Sequence, residues 1–526
     1  MRIAITGSES VLAGALSVAL SGENEVVSLP ADPRDRVTAS DLLKGADALI
    51  HLDPIAPPPD DSTDQDLLDR AGRGTYVLLT SAVEHRVKRV ILGSSLSLLD
   101  RYPASWAVSE TWRPRPDVTD ARQLSIHIAE QAARQFVFFS PLQVVCLRFG
   151  EIVDPGSEPA PSDWRALHVA DAVTAVEKAL IAPLSLGDDF GPEGFGSGSG
   201  LDHGWRVYHI PGAGNTRIPL AEARGGLGYE PQHDLAPDPL PEPSPAEEAG
   251  DLSLIGPRQR IPSRTVRKVV IFGAGGPLAA SAIPVLAPSY QLHLTDLRSV
   301  YDVIAAGPQS EGAPLPVPPT PPHSWSEVDV TDFDQVMRAT EGADAVINCT
   351  VLRHVHDPAF LVNFIGAYNV MRAAVAHGIR RVVHTGPLQV ASEWPAGYGL
   401  DFDVPPDAPG RSGGRLYGHS KILGQEIVRL FADAYDLEVP VLLFTKFVDP
   451  ATARAETGGL HPMSISWADA GEAMRHALEI PTLPTSFELF HITTRLPQGK
   501  YPGGKAERLL EWRPRDDLHH LWARRP

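Results

Sequence analysis

The second half of the chain alternates short apolar segments with glycine turns and helix-like stretches. Residues 268–272 (KVVIF) form a continuous apolar run that predicts a buried first strand. It leads straight into Gly273, Ala274, Gly275 and Gly276, then an Ala-rich apolar stretch suited to a helix. The next apolar segment, 290–295, ends at Asp296. Strand, glycine turn, helix and a second strand closed by an acid form a dinucleotide-binding pattern. Gly273 permits the tight turn, Gly276 lets backbone approach a pyrophosphate, and Ala279 allows close helix packing. The free N–H groups of the helix start supply the anion site, and Asp296 is placed to accept from ribose hydroxyls.

The first half repeats this pattern. Residues 1–7 read as a strand entering a glycine turn, and 74–95 (GTYVLLTSAVEHRVKRVILGSS) align without gaps on 366–387 (GAYNVMRAAVAHGIRRVVHTGP). Residues 46–50 match 343–347, and LGYEP at 227–231 matches the tail of the second half. A repeat of this length is a duplicated domain rather than a short solenoid unit. The predicted architecture is α/β: two tandem Rossmann-like, doubly wound parallel-sheet domains, each with a small C-terminal substrate-binding part. Residues 1–235 and 267–526 are the expected domains, joined by a Pro-rich, charged connector at 236–266.

Tyr417 and Lys421 stand four residues apart in YGHSK. On a helix they share one face, so a phenol and an ammonium can occupy one pocket. A nearby cation favours phenolate and lowers the phenol pKa, which suits proton transfer.

Together these residues resemble the extended short-chain dehydrogenase/reductase family, which includes NAD-dependent sugar epimerases and dehydratases. The resemblance covers nearly all of residues 267–520. It implies that Asp329 and Val330 contact adenine, that 345–348 is the fourth strand, and that 363–374 is the helix carrying the family's Asn-Val pattern. It likewise makes 380–385 the fifth strand, YGHSK the catalytic helix and LLEWRP at 509–514 the closing signature. Tyr417 is then the acid/base and Lys421 the residue that acidifies it and holds the nicotinamide ribose. Asn348, followed by Cys349 and Thr350, departs from the small-residue turn usual at that place. The implied cofactor is NAD, with NADP admitted by Arg298 beside Asp296. The implied activity is that of an oxidoreductase or epimerase/dehydratase on a hydroxyl or carbonyl of a small or nucleotide-sugar-like substrate.

The two halves keep different parts of such a site. In the first, Ser10 replaces the middle glycine, Glu9 brings a negative charge beside any pyrophosphate, and residues 25–29 end without an acid. Aligning Phe136 with Phe431 puts Arg122 and Ile126 at the Tyr417 and Lys421 positions, although Ser94 and Ser95 survive after the fifth strand. In the second half the family's substrate-polarising serine falls on Pro387, which has no hydroxyl and no N–H. Thr385 is the substitute if the strand end bulges, with His384 and Ser420 as weaker candidates. The competing reading is a non-catalytic dinucleotide-binding or scaffold protein built from two degenerate copies.

Composition narrows the partners. With 65 acidic against 46 basic residues the net charge is −19, which argues against nucleic acid or an anionic membrane. The two cysteines, Cys146 and Cys349, exclude a disulfide framework and favour a reducing, cytoplasmic setting. No apolar run long enough to span a membrane is read, and the chain enters a strand at once with no room for a signal peptide. His354 and His356 lack a Cys or carboxylate at metal-ligand spacing, so no metal site is expected. Lys446 falls at the sheet edge where ligands bind; Trp164, His168 and Trp467 precede the matching Asp171 and Asp469, and packing accounts for them. The helix pair 121–136 and 416–431 is expected to pack within one chain as a pseudo-dimer.

Overall fold

The computed structural model describes residues 1–29, 32–153, 164–183, 204–235, 240–353, 355–387, 403–412, 415–452, 461–497 and 499–521. The chain divides into two compact units, Met1–Gly256 and Pro257–Pro526. The division falls inside the Pro-rich segment, which is not a free span. It forms a capped helical turn, Pro245–Glu248, and a 3₁₀ turn, Leu252–Ile255. The Trp106 indole donates to the Glu247 carbonyl at 3.1 Å, so this stretch folds onto the first unit.

The first unit is built on a six-stranded sheet. Its spatial order is Glu25–Leu29, Arg2–Thr6, Ala48–His51, Arg89–Ser95, Gln143–Phe149 and Trp205–Ile210, all parallel. The second unit has seven parallel strands in the order Ser324–Glu327, Gln291–Asp296, Lys268–Phe272, Ala345–Asn348, Arg381–Pro387, Val439–Phe444 and Phe487–His491. In both sheets the order of strands reverses beside the first strand, and ligands of open α/β sheets bind at such a switch point. The first unit has no counterpart of Ser324–Glu327 among its described residues, so its sheet is one strand shorter on that side.

Continuous apolar strands are buried on both faces by helices, which is why they need no alternation. In the second unit Val269, Ile271, Leu292, Leu294, Ile347 and Val383 pack against Ala279, Ala282, Ala473 and Ala477 of two helices, Pro277–Leu286 and Trp467–Glu479. The opposite face carries Gly366–Ala376 and the 20-residue helix Leu416–Tyr435. Residues 356–376 form an apolar helical run of 21 residues with a hydropathy of 1.3, long enough to span a membrane by composition. It departs from the expectation that no apolar run is long enough to span a membrane, and 72% of its apolar window is buried inside the fold.

The two units share local devices. Each interrupts the helix after its central strand with a π turn, Arg70–Gly74 in one and Leu361–Ile365 in the other. Each uses one buried aspartate to hold its tail. Asp171 accepts from the N–H groups of Gln232 and His233, and Asp469 from those of Arg515 and Asp516, all at 2.9–3.0 Å.

Candidate active site

The glycine turn of the second unit closes as its sequence requires. Gly273 has φ +76°, and a Cβ there would press on the Cys349 and Thr350 backbone at 3.0 Å. The Asp296 carboxylate accepts from the Gly275 N–H at 3.0 Å, tying the end of the second strand to the turn. Gly276 caps the helix Pro277–Leu286 with no side-chain cap, and Pro277 occupies the first helical position. The N–H groups of Leu278 and Ala279, which have no intrahelical partner at a helix start, are therefore left for an anion. Asp329 accepts from Thr331, Val330 lies over Gly366, and the Val330 carbonyl takes the Asn369 amide at 2.8 Å. This chain carries an acid, an open helix start and an apolar flank at one sheet edge, and these residues fit a dinucleotide.

The same turn in the first unit is closed. The Ser10 hydroxyl accepts from the Ala13 N–H at 3.2 Å and donates to the Gly7 carbonyl, occupying a helix-start donor. Leu52 and Ile55 lie against Gly93, where a Cβ would come within 3.0 Å of either side chain. Arg122 donates to the carbonyls of Ile55 and Ala56 at 2.7 and 2.9 Å. Ser94 and Ser95 are also engaged. Ser94 donates to Glu130, and Ser95 accepts from the Ser97 N–H at 3.1 Å. Glu130 in turn pairs with buried Arg148 at 2.8 Å, which holds its carboxyl at about 2 despite burial.

On Leu416–Tyr435 the Tyr417 ring is half-buried and Lys421 is 4% exposed. This helix approaches the π turn so closely that a Cβ at Gly424 would collide with the Asn363 carbonyl. Among the described residues the Lys421 ammonium has one acceptor, the Thr385 carbonyl at 3.1 Å, and burial lowers its pKa to about 8. An ammonium buried with two donors unspent fits a ribose diol.

Three sequence expectations change at this point. The strand holding Thr385 does not bulge, because it pairs in unbroken register through Pro387 opposite Phe444. The Thr385 hydroxyl donates to the Asn348 carbonyl at 3.0 Å, so Thr385 serves by holding Lys421 rather than by polarising a carbonyl. Nor is the phenol acidified by Lys421. Burial raises the Tyr417 pKa, and the cation that opposes burial is Arg353 beside the ring. Its guanidinium carbon lies 5.7 Å from the ring centroid.

Arg353 was missed in the sequence, though a basic residue just after the fourth strand was a usable signal. Asn363 explains its placement. The Asn363 amide accepts from the Leu352 N–H at 3.0 Å, donates to the Leu352 carbonyl at 2.7 Å and donates to Ser420 at 3.0 Å. Ser420 donates to the Tyr417 carbonyl, so its hydroxyl belongs to this bridge. Asn348 turns inward and accepts from the N–H and hydroxyl of Thr350. His384 is buried and held well below its usual pKa by burial and by Lys421.

The remaining candidates scatter. His354 lies outside the described residues, while His356 starts the helix His356–Phe360. Among the described residues no three His, Cys, Asp or Glu are grouped to hold a metal. Lys446 is exposed at the strand ends, and Trp467 stacks on Phe447 at 4.2 Å. Trp164 takes Arg217 over its ring at 4.5 Å, and His168 caps the helix Val169–Ile181. A cavity of about 280 Å³ lies at the opposite sheet edge, where the Arg381 and Glu438 of its lining pair with each other.

Residues 290–480 match the model of the NAD dependent epimerase/dehydratase family. The uronate dehydrogenase of Pseudomonas syringae pv. tomato is 25% identical over 158 residues, covering 29% of this chain and 53% of that protein. The dTDP-4-dehydrorhamnose reductase of Mycolicibacterium smegmatis is 29% identical over 110 residues, 20% of this chain and 32% of its own. The chain thus spans about half the length, or less, of the curated relatives it matches. Among solved structures, uronate dehydrogenase from Agrobacterium tumefaciens covers 48% of this chain and 85% of its own, at 22% identity and a TM-score of 0.38. The Bordetella bronchiseptica enzyme WbmG in complex with NAD covers 49% and 92%, at 18% identity and a TM-score of 0.38. The glycine turn at Gly273 and the paired Tyr417 and Lys421 stand in the same unit as residues 290–480, the part of the chain that matches the model of the NAD dependent epimerase/dehydratase family.

Proposed function

We propose that the second unit is an NAD-dependent oxidoreductase or epimerase/dehydratase acting on a hydroxyl or carbonyl group of a sugar-like substrate. The observation that carries this reading is Lys421, buried one turn from Tyr417 with a single acceptor among the described residues, at the sheet edge where the uncapped glycine turn lies. Bound nicotinamide supplies a hydride acceptor at that edge. The chain's own residues do the rest. Gly275, Gly276 and Ala279 shape the pyrophosphate seat, Asp296 takes ribose hydroxyls, Asp329 and Val330 flank adenine, and Lys421 holds the second ribose. Tyr417 takes the proton of the substrate hydroxyl as its carbon gives up hydride, and returns it in the reverse direction. Because burial raises its pKa, the phenol is protonated at neutral pH, which suits carbonyl reduction.

Calorimetry with NADH and NADPH on the full chain tests the binding claim, and no heat from either sinks it. Tyr417→Phe is expected to abolish turnover while NADH affinity is kept. Pro387 favours a second reading, a dinucleotide-binding scaffold without chemistry. Turnover never seen with any substrate supports that alternative, whereas turnover that survives Tyr417→Phe removes Tyr417 from the acid/base role. We further propose that the two halves are a tandem duplication pairing through Ala121–Phe136 and Leu416–Tyr435 as a pseudo-dimer. Both helices are buried along most of their length. A solution mass of twice 56.6 kDa contradicts the pseudo-dimer. A reducing, cytoplasmic setting is supported by both cysteines being free, buried thiols.

A further inference from the structure

We propose that Arg353 selects the substrate at the Tyr417 site, and that the group it selects is a carboxylate within a few bonds of the reacting hydroxyl carbon. This rests on the reading of Tyr417 as the acid/base and names a narrower substrate class, a hydroxy acid of the sugar-acid type.

Arg353 forms no ion pair among the described residues, in a chain with 65 acids against 46 bases. Arginines elsewhere in the same unit are committed: Arg381 to Glu438, and Arg429 to both Glu426 and Asp433. Arg353 is exposed, yet its backbone is fixed. Asn363 holds both the N–H and the carbonyl of neighbouring Leu352, and the same amide reaches Ser420 on the Tyr417 helix. One buried side chain therefore ties the backbone beside Arg353 to the Tyr417 helix, as a built recognition site requires.

That placement determines the ligand. Arginine offers five N–H donors in a planar fork, and this one stands beside the Tyr417 ring with no ion-pair partner among the described residues. A carboxylate on the free edge sits about 3 Å from the guanidinium nitrogens, and the reacting hydroxyl sits about 3 Å from the phenol oxygen. With the guanidinium 5.7 Å from the ring centre, both groups belong to one small molecule with the anion on a nearby carbon. The corresponding place in the first unit carries Ala56, and Arg122 stands where Tyr417 does, spent on backbone carbonyls. The pairing of a free guanidinium with a phenol thus belongs to the second unit.

The test uses calorimetry on the full chain, with and without saturating NADH. The probes are D-glucuronate and D-gluconate as carboxylates, D-glucose as the neutral counterpart and UDP-glucose as the diphosphate. At least one carboxylate is expected to bind ten-fold or more tightly than glucose or UDP-glucose. Arg353→Gln is expected to remove that preference, and Arg353→Lys to restore part of it, with NADH affinity unchanged in both. Binding of glucose or UDP-glucose as tight as either acid overturns the proposal. So does an unchanged carboxylate affinity in Arg353→Gln, or the failure of both acids to bind. The NADH titration alone decides the dinucleotide reading, so the two failures are told apart.

Discussion

Replacing Lys421 with methionine is expected to stabilise the second unit at neutral pH. Methionine conserves the length of the chain but removes a buried charge. Burial lowers the Lys421 pKa from 10.5 to about 8. At about 1.4 kcal/mol per unit, this charge costs the folded state about 3 kcal/mol wherever both states are protonated, which is below pH 8. The bond to the Thr385 carbonyl returns about 1 kcal/mol, so Lys421→Met should gain about 2 kcal/mol at pH 7. Between pH 8 and 10.5 the unfolded chain binds the proton and the folded one has shed it. Stability of the native protein therefore rises with pH through that window, and the variant's advantage shrinks by roughly 2 kcal/mol between pH 7 and 9.5. Urea unfolding without cofactor, followed by circular dichroism and fitted as two transitions, measures both quantities. A variant less stable at pH 7, or a gap that stays constant with pH, would refute the claim that this ammonium is held at a cost to the fold.

Asp296→Asn should weaken NADH binding by about ten-fold or more in calorimetry, through loss of a charged acceptor, and narrow the preference over NADPH because Arg298 remains. Pro387→Ser restores a hydroxyl at the fifth strand's end and should raise kcat by up to about 10²-fold on any substrate the protein turns over. In the first unit, Arg122→Ala leaves the Ile55 and Ala56 carbonyls without their donor. It should lower stability by about 1–3 kcal/mol in urea without creating dinucleotide binding. Glu130→Gln breaks a buried ion pair with Arg148 and should cost the same unit about 3–5 kcal/mol.

The parallel sheets were legible because their strands are continuous apolar runs. The first strand of the second unit, Lys268–Phe272, and the helix Ala121–Phe136 fall where the pattern puts them. The glycine turn was equally legible, since φ +76° at Gly273 is a demand that sequence records directly. What sequence did not record is how polar side chains are spent. Thr385 looked available until its hydroxyl was found donating to Asn348, and alignment alone could not show Ser10 capping its own helix. Arg353 escaped notice because a single basic residue in a loop carries no periodicity. Only the Asn363 bridge, which joins positions 352 and 420, gives it a fixed place.

The capped turn at Ser10 and the plug made by Ile55 and Arg122 mean that the N-terminal unit brings its own occupant. Its turn is closed by its own side chains, whereas the matching helix Pro277–Leu286 starts without a side-chain cap. Ligand-induced stabilisation will therefore be lopsided: saturating dinucleotide raises one melting step and leaves the other in place.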